Sequence, residues 1–277
     1  MRLLLLVSFL IYWGDVFASP LNLGSDKRIA NGMISPTGEY PFIASYQYHG
    51  DHFCGSVLIT GNWVLTAAHC VITARNFSNP AFLTVVAGIT ELNTASSFMQ
   101  SKTVLRQYAH RYFQGGIDPY DIGLIRVDSP FQISTYVNFI NLPAPQQEFF
   151  GVVEIVGWGF VRSTYPVVSQ QLRMAQVQII STNACNGLAN PYGARVYDIQ
   201  ICVVGYRLRN ETTCDGDSGG PLVSYDAQLN PRLIGIMSWN FQPCGMRQSP
   251  SVATKLSAFI QWISCQIAND QRPGVIC

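Results

Sequence analysis

Charge is scarce in this sequence and neither sign dominates. Only 12% of its 277 residues are charged, and 17 Lys plus Arg against 16 Asp plus Glu leave a net charge of +1. Nucleic acid or an anionic lipid surface would meet no attracting field, so partners have to be argued from a site. Long apolar runs are missing too. The run from Leu3 to Trp13 is far short of the roughly 20 residues that cross a bilayer, and Glu154 interrupts the stretch Phe149 to Trp158. No repeat, low-complexity tract or block of like charge suggests an added interaction module. The cysteines lack the close spacing of zinc sites, so no metal and no cofactor is expected.

Apolar material is plentiful at 48%, enough for one or two packed cores rather than a scaffold held by disulfides alone. Met1 and Arg2, the apolar run and the small residue Ala18 read as a signal peptide over residues 1–18, which places the chain in a secreted, extracellular and oxidising setting. Eight cysteines, an even number, suit disulfides there, and their spacing alone leaves the pairing open. Residues 19–28 are short and polar, with Asp26-Lys27-Arg28 exposing a basic cleavage point before Ile29, and read as a propeptide. Residues 1–28 hold three of the basic and two of the acidic residues, so the remainder, 29–277, carries 14 of each and is neutral.

From Ile29 onward, short segments rich in β-branched and aromatic residues, such as Ser56 to Ile59, Leu83 to Val86 and Gly151 to Val156, are strand signals. Gly61-Asn62, Gly115-Gly116 and Pro143-Ala144-Pro145 punctuate them as turns, so an all-β sandwich or barrel is expected. Only Ser257 to Ala268, with Phe259, Ile260, Ile263 and Ile267 at helical spacing, predicts a helix.

Three stretches carry chemistry: Leu65-Thr66-Ala67-Ala68-His69-Cys70, Asp121-Ile122-Gly123-Leu124, and Cys214-Asp215-Gly216-Asp217-Ser218-Gly219-Gly220-Pro221. Amide hydrolysis needs an activated nucleophile, a base, and donors for the charge that develops on the carbonyl oxygen. Taken singly, the histidine, the aspartate and the glycines are ordinary core or turn residues. In this order they resemble the chymotrypsin family of serine peptidases over the whole chain from Arg28.

That resemblance implies two antiparallel six-stranded β-barrels with a C-terminal helix in one peptidase domain, residues 29–277. It implies Ser218 as nucleophile, His69 as base within hydrogen-bond reach of it, Asp121 as orienting carboxylate, and the N–H groups of Gly216 and Ser218 as oxyanion donors. It also implies activation by cleavage after Arg28, the new ammonium of Ile29 pairing with Asp217, with Ser45 and His52 at positions that hold the aspartate in some precursors. Ile29-Ala30-Asn31-Gly32 departs from the commoner Ile-Val-Gly-Gly start.

Thr212 stands where trypsin-like members have an aspartate, so a cationic side chain would find no counter-charge. Self-activation is disfavoured for the same reason, and a separate trypsin-like protease is the expected activator. Ser238-Trp239-Asn240 matches the edge strand that holds an extended substrate. Asn240 and Ser251 replace common glycines, which suggests a narrowed polar pocket of elastase-like preference, with a chymotrypsin-like preference the alternative.

The resemblance further implies the disulfides Cys54–Cys70, Cys185–Cys202 and Cys214–Cys244. Cys265 and Cys277 remain, outside the family pattern. Ile89 and Thr90 stand where a calcium-binding loop of some relatives would begin its glutamates, so no calcium is expected. Sequons occur at Asn76 and Asn210. The expectation is a secreted, monomeric zymogen, with digestion the favoured setting, acting on proteins and open to protein inhibitors, without membrane or nucleic-acid partners. The rivals are an inactive homologue serving as a binding protein, and an esterase. The all-β pattern around Gly-Asp-Ser argues against the esterase.

Overall fold

The computed structural model describes residues 32–162, 165–208, 210–246, 249–272 and 275–277. The expected signal peptide and propeptide, with Arg28 and Ile29, lie outside the described residues.

Six strands near the N-terminus are short and β-branched enough to bury one face each: Ile43–Tyr48, Asp51–Leu58, Trp63–Thr66, Leu83–Ala87, Gln100–Ala109 and Gly123–Val127. They close into an antiparallel barrel. A second set, Val152–Gly157, Arg173–Ile180, Gln200–Gly205, Pro221–Tyr225, Pro231–Asn240 and Ser251–Lys255, closes when Val152–Gly157 pairs with Arg173–Ile180. Full closure leaves neither sheet with a continuous free edge. Met33–Ile34 adds a short strand against Arg173 and Met174.

Inward residues such as Leu58, Leu65, Leu83 and Leu124 fill the first barrel, and Ile155, Val177, Leu222 and Ile234 the second. Each contributes on the order of 1.5–3 kcal/mol by leaving water. Phe259, Trp262 and Ile263 join the first barrel's core, which explains why the C-terminal helix, Ile260–Asn269, packs there. Asp270 at its end pairs with Arg126 and Arg106 and accepts a 2.7 Å hydrogen bond from the Tyr108 hydroxyl. The disulfide Cys265–Cys277 ties the tail back to the same helix.

Two short helices, Ala68–Arg75 and Thr182–Ala189, interrupt the β pattern without any sequence expectation of them. Their eight-residue lengths give too few turns for a helical period to stand out from the surrounding strands. Disulfides join Cys54 to Cys70, Cys185 to Cys202 and Cys214 to Cys244, as the resemblance implied. Among the described residues no helix is long and apolar enough to cross a membrane.

Candidate active site

The barrels meet along a seam to which both supply polar residues. From the first comes His69, at the start of the helix Ala68–Arg75, with Asp121, just before the strand Gly123–Val127. Asp121 has no solvent exposure, and its burial is balanced by donors from both barrels. The His69 backbone N–H donates to Oδ1 at 2.9 Å, and the Ser238 hydroxyl donates to Oδ2 at 2.6 Å. His69 Nδ1 lies 2.7 Å from Oδ2. A carboxylate can only accept, so Nδ1 carries the proton and Nε2 keeps its lone pair. The Thr254 hydroxyl donates to the Asp121 carbonyl at 2.7 Å, fixing the backbone as well.

Ser218 comes from the second barrel, ahead of the strand Pro221–Tyr225. Its carbonyl accepts from the Gly55 N–H at 2.8 Å, and it lies 3.8 Å from the Cys70 sulfur, which is itself 3.6 Å from His69 Nε2. The serine and the imidazole thus flank one disulfide. Among the described contacts, however, no hydrogen bond joins the Ser218 hydroxyl to His69, although the sequence placed the two within reach. Catalytic hydrogen bonds often tighten only around substrate. Cys54, Cys70 and His69 offer three ligand-type atoms close together, but both sulfurs are spent in the disulfide and are not thiolates, so the cluster is no metal site.

Glycines shape the segment around Ser218. Gly216 has φ +94° and Gly219 φ +81°, backbone that L side chains adopt at a cost. A Cβ on Gly219 would overlap the Gly55 carbonyl and the Thr66 hydroxyl. Among the described residues, neither the Gly216 nor the Ser218 N–H donates to any protein acceptor. The Gly219 and Gly220 N–H groups, by contrast, are taken by Met237 and Asp217 carbonyls at 2.8 and 3.0 Å. Among the described residues, these two N–H groups are thus free of protein acceptors, unlike their two neighbours.

Asp217 is 2% exposed and accepts from the Gly159 and Cys214 N–H groups at 2.8 and 2.9 Å. A Cβ at Gly157 or Gly159 would overlap its carboxylate. Burial raises its pKa to about 6, because no described cation offsets the lost hydration. His52, at a position that holds the aspartate in some precursors of the family, sets Nε2 2.9 Å from the Gly216 carbonyl. Its Nδ1 lies 2.8 Å from the Ser45 hydroxyl. A carbonyl accepts, so Nε2 carries the proton and Ser45 donates to Nδ1. Burial lowers the pKa of this neutral ring to about 4.

These two groups pull stability in opposite directions with pH. Asp217, raised above its ordinary 3.8, withdraws about 3 kcal/mol as pH climbs from 4 to 6 and the buried charge forms. His52, depressed below 6.5, withdraws a similar amount as pH falls from 6.5 to 4, because only the unfolded chain gains its proton readily. Asp217→Asn removes the first effect. The uncleaved variant is expected to lose stability between pH 7 and 4 more steeply than the uncleaved wild type, as read from urea midpoints. Parallel pH curves would show that Asp217 titrates normally.

The remaining residues marked in the sequence gather beside Ser218. Thr212, 2% exposed, accepts from the Gly245 N–H at 2.8 Å through its hydroxyl. Ser251 lies 2.9 Å from the Thr213 hydroxyl and accepts from the Thr213 N–H at 3.1 Å. Asn240 Nδ2 donates to the Thr213 hydroxyl at 3.4 Å, joining the strand Pro231–Asn240 to the segment before Ser218. The strand Pro221–Tyr225 pairs with that strand only as far as Ile236, so among the described residues no strand covers Ser238-Trp239-Asn240 on this side. Thr213 and Gln242 were not singled out from sequence, because neither belongs to a motif. Glu211 is buried beside Thr212, and the sequence showed it only as the middle of a sequon. Asn76 and Asn210 are both exposed, whereas Thr212 of the second sequon is buried.

A family model described as "Trypsin" matches residues 29–263. The chain is similar to "Lectizyme" of Glossina austeni, 36% identical over 252 residues that cover 87% of each chain. It is 35% identical over 246 residues to "Transmembrane protease serine 11A" of Homo sapiens, across 88% of this chain and 56% of that protein. With "Coagulation factor XII" of Cavia porcellus the identity is 33% over 258 residues, across 89% of this chain and 42% of the relative. This chain thus spans most of the first protein and about half or less of the other two.

Proposed function

The chain belongs to the trypsin family and is a serine endopeptidase, and from that premise we propose that Ser218, His69 and Asp121 carry its chemistry. Ser218 Oγ attacks the peptide carbonyl while His69 Nε2 takes its proton, and the imidazolium is held by Asp121. The tetrahedral oxyanion is met by the Gly216 and Ser218 N–H groups. Collapse expels the amine, protonated by His69, and leaves an acyl-enzyme that water hydrolyses by the same path. The observation that carries this reading is the buried Asp121 carboxylate holding His69 Nδ1 at 2.7 Å, which sets the tautomer a base requires.

The substrate binds as an added strand along Ser238-Trp239-Asn240. Its P1 residue, on the N-terminal side of the cut, enters between Thr212-Thr213, Asn240 and Ser251, a narrow polar space that favours small or medium uncharged side chains. Glu211, buried beside Thr212, is the one observation favouring a basic P1 residue instead. The protein is secreted as a monomeric zymogen that a trypsin-like protease matures after Arg28, and protein inhibitors compete for the same groove. Cleaving the purified precursor with trypsin, blocking the trypsin, and profiling cuts in a peptide library tests the pocket. Cuts after Ala, Val, Ser or Leu are expected, and dominant cutting after Lys or Arg would assign the pocket to Glu211.

A further inference from the structure

The Asn240 side-chain amide is bonded at both of its ends. Its Nδ2 donates inward to the Thr213 hydroxyl at 3.4 Å, and its Oδ1 accepts from Gln242 Nε2 at 3.1 Å. The same Gln242 nitrogen donates to Asp215 Oδ1 at 3.2 Å, and Gln242 Oε1 accepts from the Cys244 N–H at 3.2 Å. A primary amide has two N–H donors, enough to serve both of these oxygens. Turning the Gln242 amide over would set oxygen against the Asp215 carboxylate and the Asn240 oxygen, so its orientation is fixed. Asp215 and Gln242 are both exposed, which places this bridge at the rim next to Ser218.

We propose that Asp215, Gln242 and Asn240 form a side-chain latch over the P1 space, with Gln242 as the positioning residue that keeps the Asn240 amide across it. The inference depends on the reading of this space as the P1 site. A small P1 side chain lies beneath the latch. A longer one displaces Asn240 and breaks its bonds to Thr213 and Gln242. A polar P1 side chain that offers Thr213 a replacement hydrogen bond is penalised less than an apolar one of equal length. Exposed hydrogen bonds of this kind are individually weak, so the latch sets a preference and not an absolute block.

The test uses trypsin-matured enzyme, with active sites counted by a fluorophosphonate probe, and peptides that differ only at P1 as Ala, Val, Leu or Phe. Gln242→Ala is expected to raise the Leu-to-Ala ratio of kcat/KM about five- to tenfold, mainly through KM, because one or two net hydrogen bonds no longer oppose the larger side chain. Gln242→Glu at pH 8, which has no donor and faces Asp215, is expected to move the ratio the same way. Asp215→Asn keeps an acceptor toward Gln242 and the wild-type ratio, whereas Asp215→Ala raises it. A ratio within twofold of wild type in Gln242→Ala, or Asp215→Asn acting like Asp215→Ala, overturns the latch.

A readout free of turnover is hydrogen exchange of the Asn240 side-chain amide by NMR, slow in the wild type and faster in Gln242→Ala. Equal exchange overturns the latch even in an enzyme without measurable cleavage. Failure of the underlying P1 reading appears differently, as cleavage by the wild type that does not depend on P1 or that requires Lys or Arg.

Discussion

Ser218→Ala, matured at Arg28, is expected to hydrolyse peptide bonds on the order of 10⁶-fold more slowly than the matured wild type, as removal of the nucleophile does in a serine peptidase of another fold. The loss is chemical and not structural. The Ser218 hydroxyl makes no hydrogen bond among the described contacts, while its carbonyl keeps the 2.8 Å bond from Gly55 in the variant. Its urea midpoint is therefore expected to stay within about 0.5 kcal/mol of wild type. Fluorophosphonate labelling should vanish with the hydroxyl. Activity above water is expected to persist on the order of 10³-fold, from the paired Gly216 and Ser218 donors and from substrate positioning. Near wild-type turnover in Ser218→Ala, with the protein folded and trypsin fully inhibited, would remove the serine mechanism and leave the chain as a binding protein.

The second large effect concerns maturation. Asp217 is buried in a cradle of Gly157 and Gly159 with two backbone donors and a pKa raised to about 6, and no cation among the described residues offsets its charge. Cleavage after Arg28 would create one at Ile29. Breaking such a buried pair from one side costs about 3–5 kcal/mol, which corresponds to a loss of activity on the order of 10²- to 10⁴-fold if the unpaired site collapses. Asp217→Asn cut at Arg28, which leaves the new ammonium without its counter-charge, is expected to show that loss in kcat/KM with the fold retained. Gly159→Ala, whose Cβ would push into the carboxylate, is expected to match it without touching the new terminus. Confirming the cut by N-terminal sequencing separates failed cleavage from failed pairing. Full activity in both variants would detach maturation from Asp217.

The opposing titrations of Asp217 and His52 bear on that step. In the uncut chain the two nearly cancel between pH 4 and 6.5, whereas pairing Asp217 with a new ammonium would lower its pKa and remove its share. The matured enzyme should then lose stability on acidification more than its precursor.

Much of this molecule was legible in its residues. Strand-forming segments between Gly and Pro turns predicted an all-β chain, and the spacing of Phe259, Ile260, Ile263 and Ile267 predicted the terminal helix. The motifs around His69, Asp121 and Ser218 pointed to acyl transfer, because those side chains have few other reasons to occur in that order beside Gly-Asp-Ser-Gly-Gly. Pattern and motif are local, carried by neighbours in the chain, so the sequence determined them.

Closure of the two barrels decided the rest. Whether His52 reaches Asp217 or the Gly216 carbonyl, whether Cys265 meets Cys277, and whether Asn240 spans to Thr213 depend on where distant strands place their ends to within an ångström. Hydrogen bonds lose their strength over that same distance, and no run of residues encodes it. The amino acids named the chemistry. The packing of one barrel against the other chose which polar groups meet, and left the Gly216 and Ser218 donors open.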